Sequence, residues 1–110
     1  MIFTVTEANF KALVLDAKKP VVLDVWAPWC TPCKILEPII EGVSKELEHQ
    51  LDVGKLNADE NSSLVQQLGV MGLPTMLLFQ QGQATVVSVG VLSAEKLREV
   101  LAGLLKVEKI

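Results

Sequence analysis

The run "VVLDVWA" at residues 21–27 restricts the architecture more than any other stretch of this 110-residue chain. It is almost continuously apolar and rich in valine, the pattern of a strand covered on both faces rather than one. Such a strand needs sheet neighbours on either side and a layer above and below, and the flanking residues supply both. From Pro32 to about His49, Ile35, Leu36, Ile39, Ile40, Val43 and Leu47 fall in one helical stripe, with Glu37, Glu41, Lys45 and Glu48 on or near the other face. Before the strand, "FTV" reads as a short strand and Thr6 as a helix N-cap. Ala8, Phe10, Leu13, Val14 and Ala17 then recur at roughly helical spacing over residues 7–17, and "KKP" ends that helix. "LDVGKLN" is a further strand, and "SSLVQQLG" a short helix closed by Gly69. "TMLLFQ" and "TVVSVG" are strands joined by "QGQA", a hairpin connection containing Gly82. Ser93 caps a last helix whose Leu97, Val100, Leu101, Leu104 and Leu105 face inward. The order β-α-β-α-β-α-β-β-α predicts an α/β fold. Strand–helix alternation implies parallel pairing and the final hairpin adds an antiparallel pair, giving a mixed sheet with helices on both faces.

Length and composition bound what such a fold can do. The 110 residues are expected to form one domain, 1–110, with half of them apolar and few aromatic, so aliphatic packing dominates its core. The net charge of −3 comes with scattered basic residues and no stripe to track a phosphate backbone, which argues against nucleic acid as a partner. "MIFTVTEANF" lacks the basic and apolar regions of a secretory signal, and no apolar stretch approaches the roughly 20 residues that span a bilayer. "LLKVEKI" matches no retention or lipidation signal. The expectation is a soluble cytoplasmic protein with no membrane contact. In that reducing compartment a Cys-x-x-Cys is more often catalytic or metal-binding than a structural crosslink.

The only two cysteines, Cys30 and Cys33, stand in "WAPWCTPCK", where the central strand ends and a helix begins. In open α/β sheets that carboxyl-end crevice is where chemistry is usually placed. Cys30 falls near the N-cap and Pro32 close to the first helical position, so free backbone N–H groups and the positive end of the helix dipole surround the first sulfur. Such surroundings lower a thiol's pKa, and the thiolate is the attacking species. Cys33 lies one turn deeper, within reach of a short bridge. Zinc wants four ligands, and the remaining supply is His49; a crosslink closing so short a loop constrains little. Redox chemistry therefore leads, with zinc and a structural bridge as the open alternatives. Asp24 interrupts the buried strand, where a carboxylate is costly, and its raised pKa makes it a candidate acid or base unless it points to solvent. Lys55 interrupts the neighbouring strand and is either its charge partner or a snorkelling lysine. Pro74 precedes a strand that should be internal, and position alone does not assign it a cis bond. Pro38 falls inside a helix and bends it unless the helix restarts there. Trp29 is either core or an exposed docking surface, and Trp26 is the stronger core candidate.

Read together, "VVLDVWAPWCTPCK", Pro38, "KLNADEN", "GVMGLPTMLLFQQG" and "VGVLS" stand in an order and spacing that resemble the thioredoxin family over nearly the whole chain. The resemblance implies the thioredoxin fold, a five-stranded mixed sheet of order 1-3-2-4-5 flanked by four helices. It also implies a monomeric protein-disulfide reductase. In that reading Cys30 attacks a substrate disulfide, Cys33 resolves the mixed disulfide, and a Cys30–Cys33 bridge is left. Asp24 would relay a proton to activate Cys33, with Lys55 tuning it. Pro74 would be a cis-proline stacked on the cysteine pair, and Leu73 would offer its backbone to an extended substrate. Trp29, Gly72, Leu73, Pro74, Gly90 and Val91 would form the docking rim. No cofactor or metal would stay bound; electrons would come from NADPH through a thioredoxin reductase. The chain departs from the family where Thr31 replaces the commonest glycine and Met71 a frequent basic residue. Thr31 and Pro32 are the tuning dipeptide, and one charge-assisted hydrogen bond there is worth about 30–60 mV, in either direction. Two other readings are a thioredoxin-like electron donor dedicated to one partner, with a shifted potential, and a non-catalytic thioredoxin-fold binding module. The presence of both cysteines and Asp24 weighs against the second.

Overall fold

The computed structural model describes residues 1–107, so the end of the expected domain and the last three residues of "LLKVEKI" lie outside the described residues. Five strands form one sheet: β1 (Ile2–Val5), β2 (Val21–Trp26), β3 (Asp52–Asn57), β4 (Thr75–Gln80) and β5 (Gln83–Val89). Their order is β1-β3-β2-β4-β5, as the resemblance implies. Three α-helices, α1 (Thr31–Glu46), α2 (Ser62–Gln67) and α3 (Ala94–Val107), and a short π-helical segment at Lys11–Leu15 complete the described elements.

The two-faced reading of residues 21–27 holds, since Val21 to Val25 are all buried. Alternation along β2 sends Val22 to a cluster with Leu36 and Ile40 of α1 and Leu97 and Leu101 of α3. Val21, Leu23 and Val25 go to the opposite cluster, with Val5, Val14, Leu64 and Phe79. Met76 and Leu78 of β4 join the first cluster, and Leu77 and Phe79 the second. Ser93 caps α3 by accepting the Lys96 N–H at 3.1 Å. The β4–β5 hairpin turns through Gln81 and Gly82, both with positive φ (52° and 80°), as a two-residue turn that matches strand twist requires.

Two details differ from the sequence expectation. The first is strand direction. β1 with β3 and β3 with β2 are parallel, but β4 runs antiparallel to β2, with Val25 opposite Thr75 and Val21 opposite Phe79. Alternation predicts the reverse for this crossover. The six residues of α2 rise about 9 Å, less than half the length of a strand of about 20 Å, so this helix is not the full-length crossover that alternation assumes. The chain re-enters the sheet at the end where β2 leaves it. The second is the helix expected over 7–17. Thr6 Oγ1 accepts the Asn9 N–H at 3.3 Å, as a cap should, and the Asn9 side chain accepts the Thr6 N–H in return. Beyond it the Asp16 N–H bonds five residues back to Lys11 O, a widened turn with an exposed Lys11–Asp16 ion pair across it. Glu7 is also drawn away, accepting the Leu64 N–H at the start of α2. Helix α1, by contrast, passes through Pro38 undivided.

Gly54 of β3 lies beneath Val5, Phe3 and Leu23. A Cβ there would stand 2.6 Å from Val5 Cγ2 and 3.1 Å from the Phe3 ring. Gly54→Ala is expected to destabilise the domain by about 1–3 kcal/mol through overpacking, read as a lower urea midpoint at unchanged slope.

Candidate active site

Three chain segments meet at the end of the sheet where β2 and β3 finish. The first is the β2–α1 junction. Cys30 is the N-cap of α1, with extended backbone (φ −87°, ψ 105°), and its Sγ accepts the Cys33 N–H at 3.3 Å. Thr31 and Pro32 are the first two helical residues, where the proline's missing N–H costs nothing. Cys30 and Cys33 are joined by a disulfide and are only 3% and 5% exposed. They pack with Ala27, Trp26 and Leu73. Thr31 is exposed, and the hydrogen bond to the Cys30 sulfur comes from the Cys33 amide.

The second segment is the loop before β4, brought here because β4 runs antiparallel to β2. The Leu73–Pro74 peptide bond is cis and Pro74 is buried. Thr75 Oγ1 donates to Gly72 O at 2.6 Å, which closes the loop on itself. Leu73 takes part in none of the backbone hydrogen bonds that tie this loop to its neighbours. The third segment is the end of β5, where Gly90 N–H donates to Pro74 O at 2.8 Å. Gly90 holds φ at 98°, a conformation that favours glycine. Val91 follows it, exposed. Trp29 stands out into solvent, 68% exposed, and its indole N–H donates to Asp59 Oδ1 at 3.0 Å. Met71 is 99% exposed beside the same loop. The rim around the disulfide is thus apolar and open.

Beneath it lie three charged residues, Asp24, Lys55 and Glu37, beside Trp26. Asp24 is 2% exposed, on the face of β2 that carries Val22 toward α1, and its Oδ1 has no hydrogen-bond partner in the protein. Burial pushes its pKa up to about 6, moderated by the attraction of Lys55 and reinforced by the repulsion of Glu37. Lys55 sits beside Asp24 in the parallel β2–β3 register. Its ammonium lies 3.5 Å from Glu37 Oε1 and 5.2 Å over the Trp26 ring. Trp26 is therefore half-buried at the site rather than a full core member, with its indole nitrogen buried and unpartnered. A crevice of about 90 Å³ opens between Trp26, Cys33, Lys34, Glu37 and Lys55.

Sequence reasoning missed Glu37 and Asp59. Glu37 was readable from spacing, since it stands four residues after Cys33 on one flank of α1. Asp59 lies 30 residues from Trp29, and nothing local in the sequence joins them. Among the described residues no group of three or more His, Cys, Asp and Glu is placed to hold a metal, and no helix is long and apolar enough to cross a membrane.

Comparison with known proteins agrees with this geometry. A family model described as Thioredoxin matches residues 1–103. A thioredoxin of Buchnera aphidicola subsp. Baizongia pistaciae is 42% identical over 100 residues, covering 91% of this chain and 92% of that one. A thioredoxin of Pseudomonas aeruginosa is 43% identical over 96 residues, 87% and 89% of the two chains. One from Synechocystis is 42% identical over 86 residues, 78% and 80%.

Proposed function

The chain belongs to the thioredoxin family and is a thiol-disulfide oxidoreductase, and we propose that it works with Cys30 as nucleophile, Cys33 as resolving thiol and Asp24 as proton relay. The observation that carries this reading is the cysteine pair at the start of α1, with the Cys33 amide aimed at the Cys30 sulfur. A hydrogen bond to a thiolate is charge-assisted, and the helix dipole adds to it, so the reduced site favours Cys30 as an anion. The Cys30 thiolate attacks one sulfur of a substrate disulfide; the other sulfur leaves as a thiolate and takes a proton. Cys33 gives up its proton and attacks Cys30, releasing the second substrate thiol. Two electrons pass to the substrate and the Cys30–Cys33 disulfide remains. With a pKa of about 6, Asp24 is mostly ionised near neutral pH and able to take the Cys33 proton. Lys55 tunes it by charge.

Trp29, Gly72, Leu73, Pro74, Gly90 and Val91 form the docking rim. The unengaged Leu73 backbone suits an extended substrate segment, and main-chain pairing reads little side-chain identity. Thr31 and Pro32 set the reduction potential of the pair. The protein is cytoplasmic and monomeric, 1–110 being one domain, and no cofactor stays on it. NADPH reduces the disulfide through a thioredoxin reductase.

Insulin is the direct test. The protein is expected to speed precipitation of insulin B chains by dithiothreitol, and NADPH with thioredoxin reductase is expected to replace dithiothreitol. A rate equal to dithiothreitol alone would remove the general reductase role.

A further inference from the structure

We propose that Glu37 is a positioning residue for the proton relay: its carboxylate competes with Asp24 for the Lys55 ammonium and so sets how readily Asp24 releases its proton. The geometry is one cation between two carboxylates. Lys55 and Asp24 are cross-strand neighbours in the β2–β3 ladder, so the lysine stem rises on the side of the buried carboxyl. Its ammonium, however, pairs with Glu37 at 3.5 Å, over the face of Trp26, while Asp24 Oδ1 is left without a hydrogen-bond partner. Glu37 reaches this point because it stands one turn beyond Cys33 on α1, and both line the same crevice with Lys55. With its side chain about half exposed (49%), Glu37 carries its charge at little desolvation cost.

The charges acting on Asp24 come from two neighbouring elements. Strand β3 contributes Lys55, helix α1 contributes Cys33 and Glu37 with Lys34 at the crevice, and β4 places the uncharged Met76 opposite. Glu37 acts on Asp24 twice with the same sign. Its charge repels the Asp24 carboxylate directly, and its grip on Lys55 withholds the compensating cation. Removing the Glu37 charge reverses both effects and leaves Asp24 a stronger acid.

The inference rests on the relay role given to Asp24 above, but its test does not need turnover. Carbon-detected NMR of the Asp24 carboxyl is followed from pH 4 to 9 in the oxidised protein, where the cysteines do not titrate. Glu37→Gln, an exposed and conservative change, is expected to move the midpoint down by about half a pH unit. In a Lys55→Met background the same substitution is expected to move it clearly less, because the competition has gone. An unmoved midpoint in Glu37→Gln overturns the proposal. So does an equal shift with and without Lys55, which would reduce Glu37 to a distant charge. In the reduced protein the pH profile of Cys33 attack on a preformed mixed disulfide should follow the carboxyl midpoint. A midpoint that moves under an unmoved rate profile would overturn the relay role of Asp24 while the charge competition stands.

Discussion

Replacing Cys30 with serine is expected to abolish insulin reduction, lowering turnover on the order of a thousandfold or more, to the level of dithiothreitol alone. A hydroxyl does not ionise under the N–H groups at the start of α1 as a thiol does, so no anion forms to attack a disulfide. Cys33→Ser should fail differently. The Cys30 sulfur keeps its place as N-cap, but loses the partner that would resolve the mixed disulfide. The variant is expected to complete one attack and stall, covalently joined to its substrate through Cys30. Mass spectrometry of the non-reduced product would show the substrate's added mass, and dithiothreitol would remove it. Continued turnover by Cys33→Ser would sink the assignment of roles. Many trapped proteins would mark a generalist reductase, and one dominant protein a dedicated donor.

The second large effect is on stability. The pKa of Asp24 is about 6 in the folded protein against an ordinary 3.8, so between these pH values the folded state binds more protons than the unfolded one. Stability is then lost as pH rises from about 4 to about 6, and above that the full penalty is present. At 1.36 kcal/mol per pKa unit the penalty amounts to about 3 kcal/mol. Asp24→Asn removes the ionisation while nearly keeping the shape. It is expected to be more stable than the parent at pH 7 by up to about 3 kcal/mol, less whatever an unpartnered amide costs. At pH 4 the gain should vanish. Urea unfolding of both proteins at several pH values measures this. A parent chain that gained stability relative to the variant between pH 4 and 7 would show that folding lowers the pKa of this carboxyl instead of raising it. The same variant is expected to resolve mixed disulfides more slowly, an exchange of turnover for stability.

What could be read from the sequence followed from local rules. A valine-rich run buried on two faces required a central strand, and 3.6-residue periodicity then placed α1 directly after it with the cysteines at the junction. Strand order came with the family motifs. The direction of β4 was hidden, because alternation counts elements and ignores that α2 is not a full-length crossover. The π-helical turn was hidden too, since Asp16 bonding back to Lys11 replaces a ladder that the apolar spacing alone would have continued. Within the site, Cys30, Cys33 and Asp24 announce themselves as residues out of place: thiols at a helix start and a carboxylate in an apolar strand. Glu37 does not, since an acidic residue on a helix flank usually faces water. Its spacing places it on the flank of α1 that carries Cys33, but the meeting with Lys55 depends on how α1 crosses β3.

The antiparallel entry of β4 has a consequence in time. During synthesis both cysteines are made some 40 residues before Pro74, a gap of roughly 2–8 s at ordinary elongation rates. Over that interval the nascent chain carries a dithiol without the loop that flanks it in the finished sheet. A bridge closed then would form under the redox poise of its surroundings rather than under the guidance of a docked partner. The proposed docking rim is completed later still, when Gly90 and Val91 follow the fifth strand.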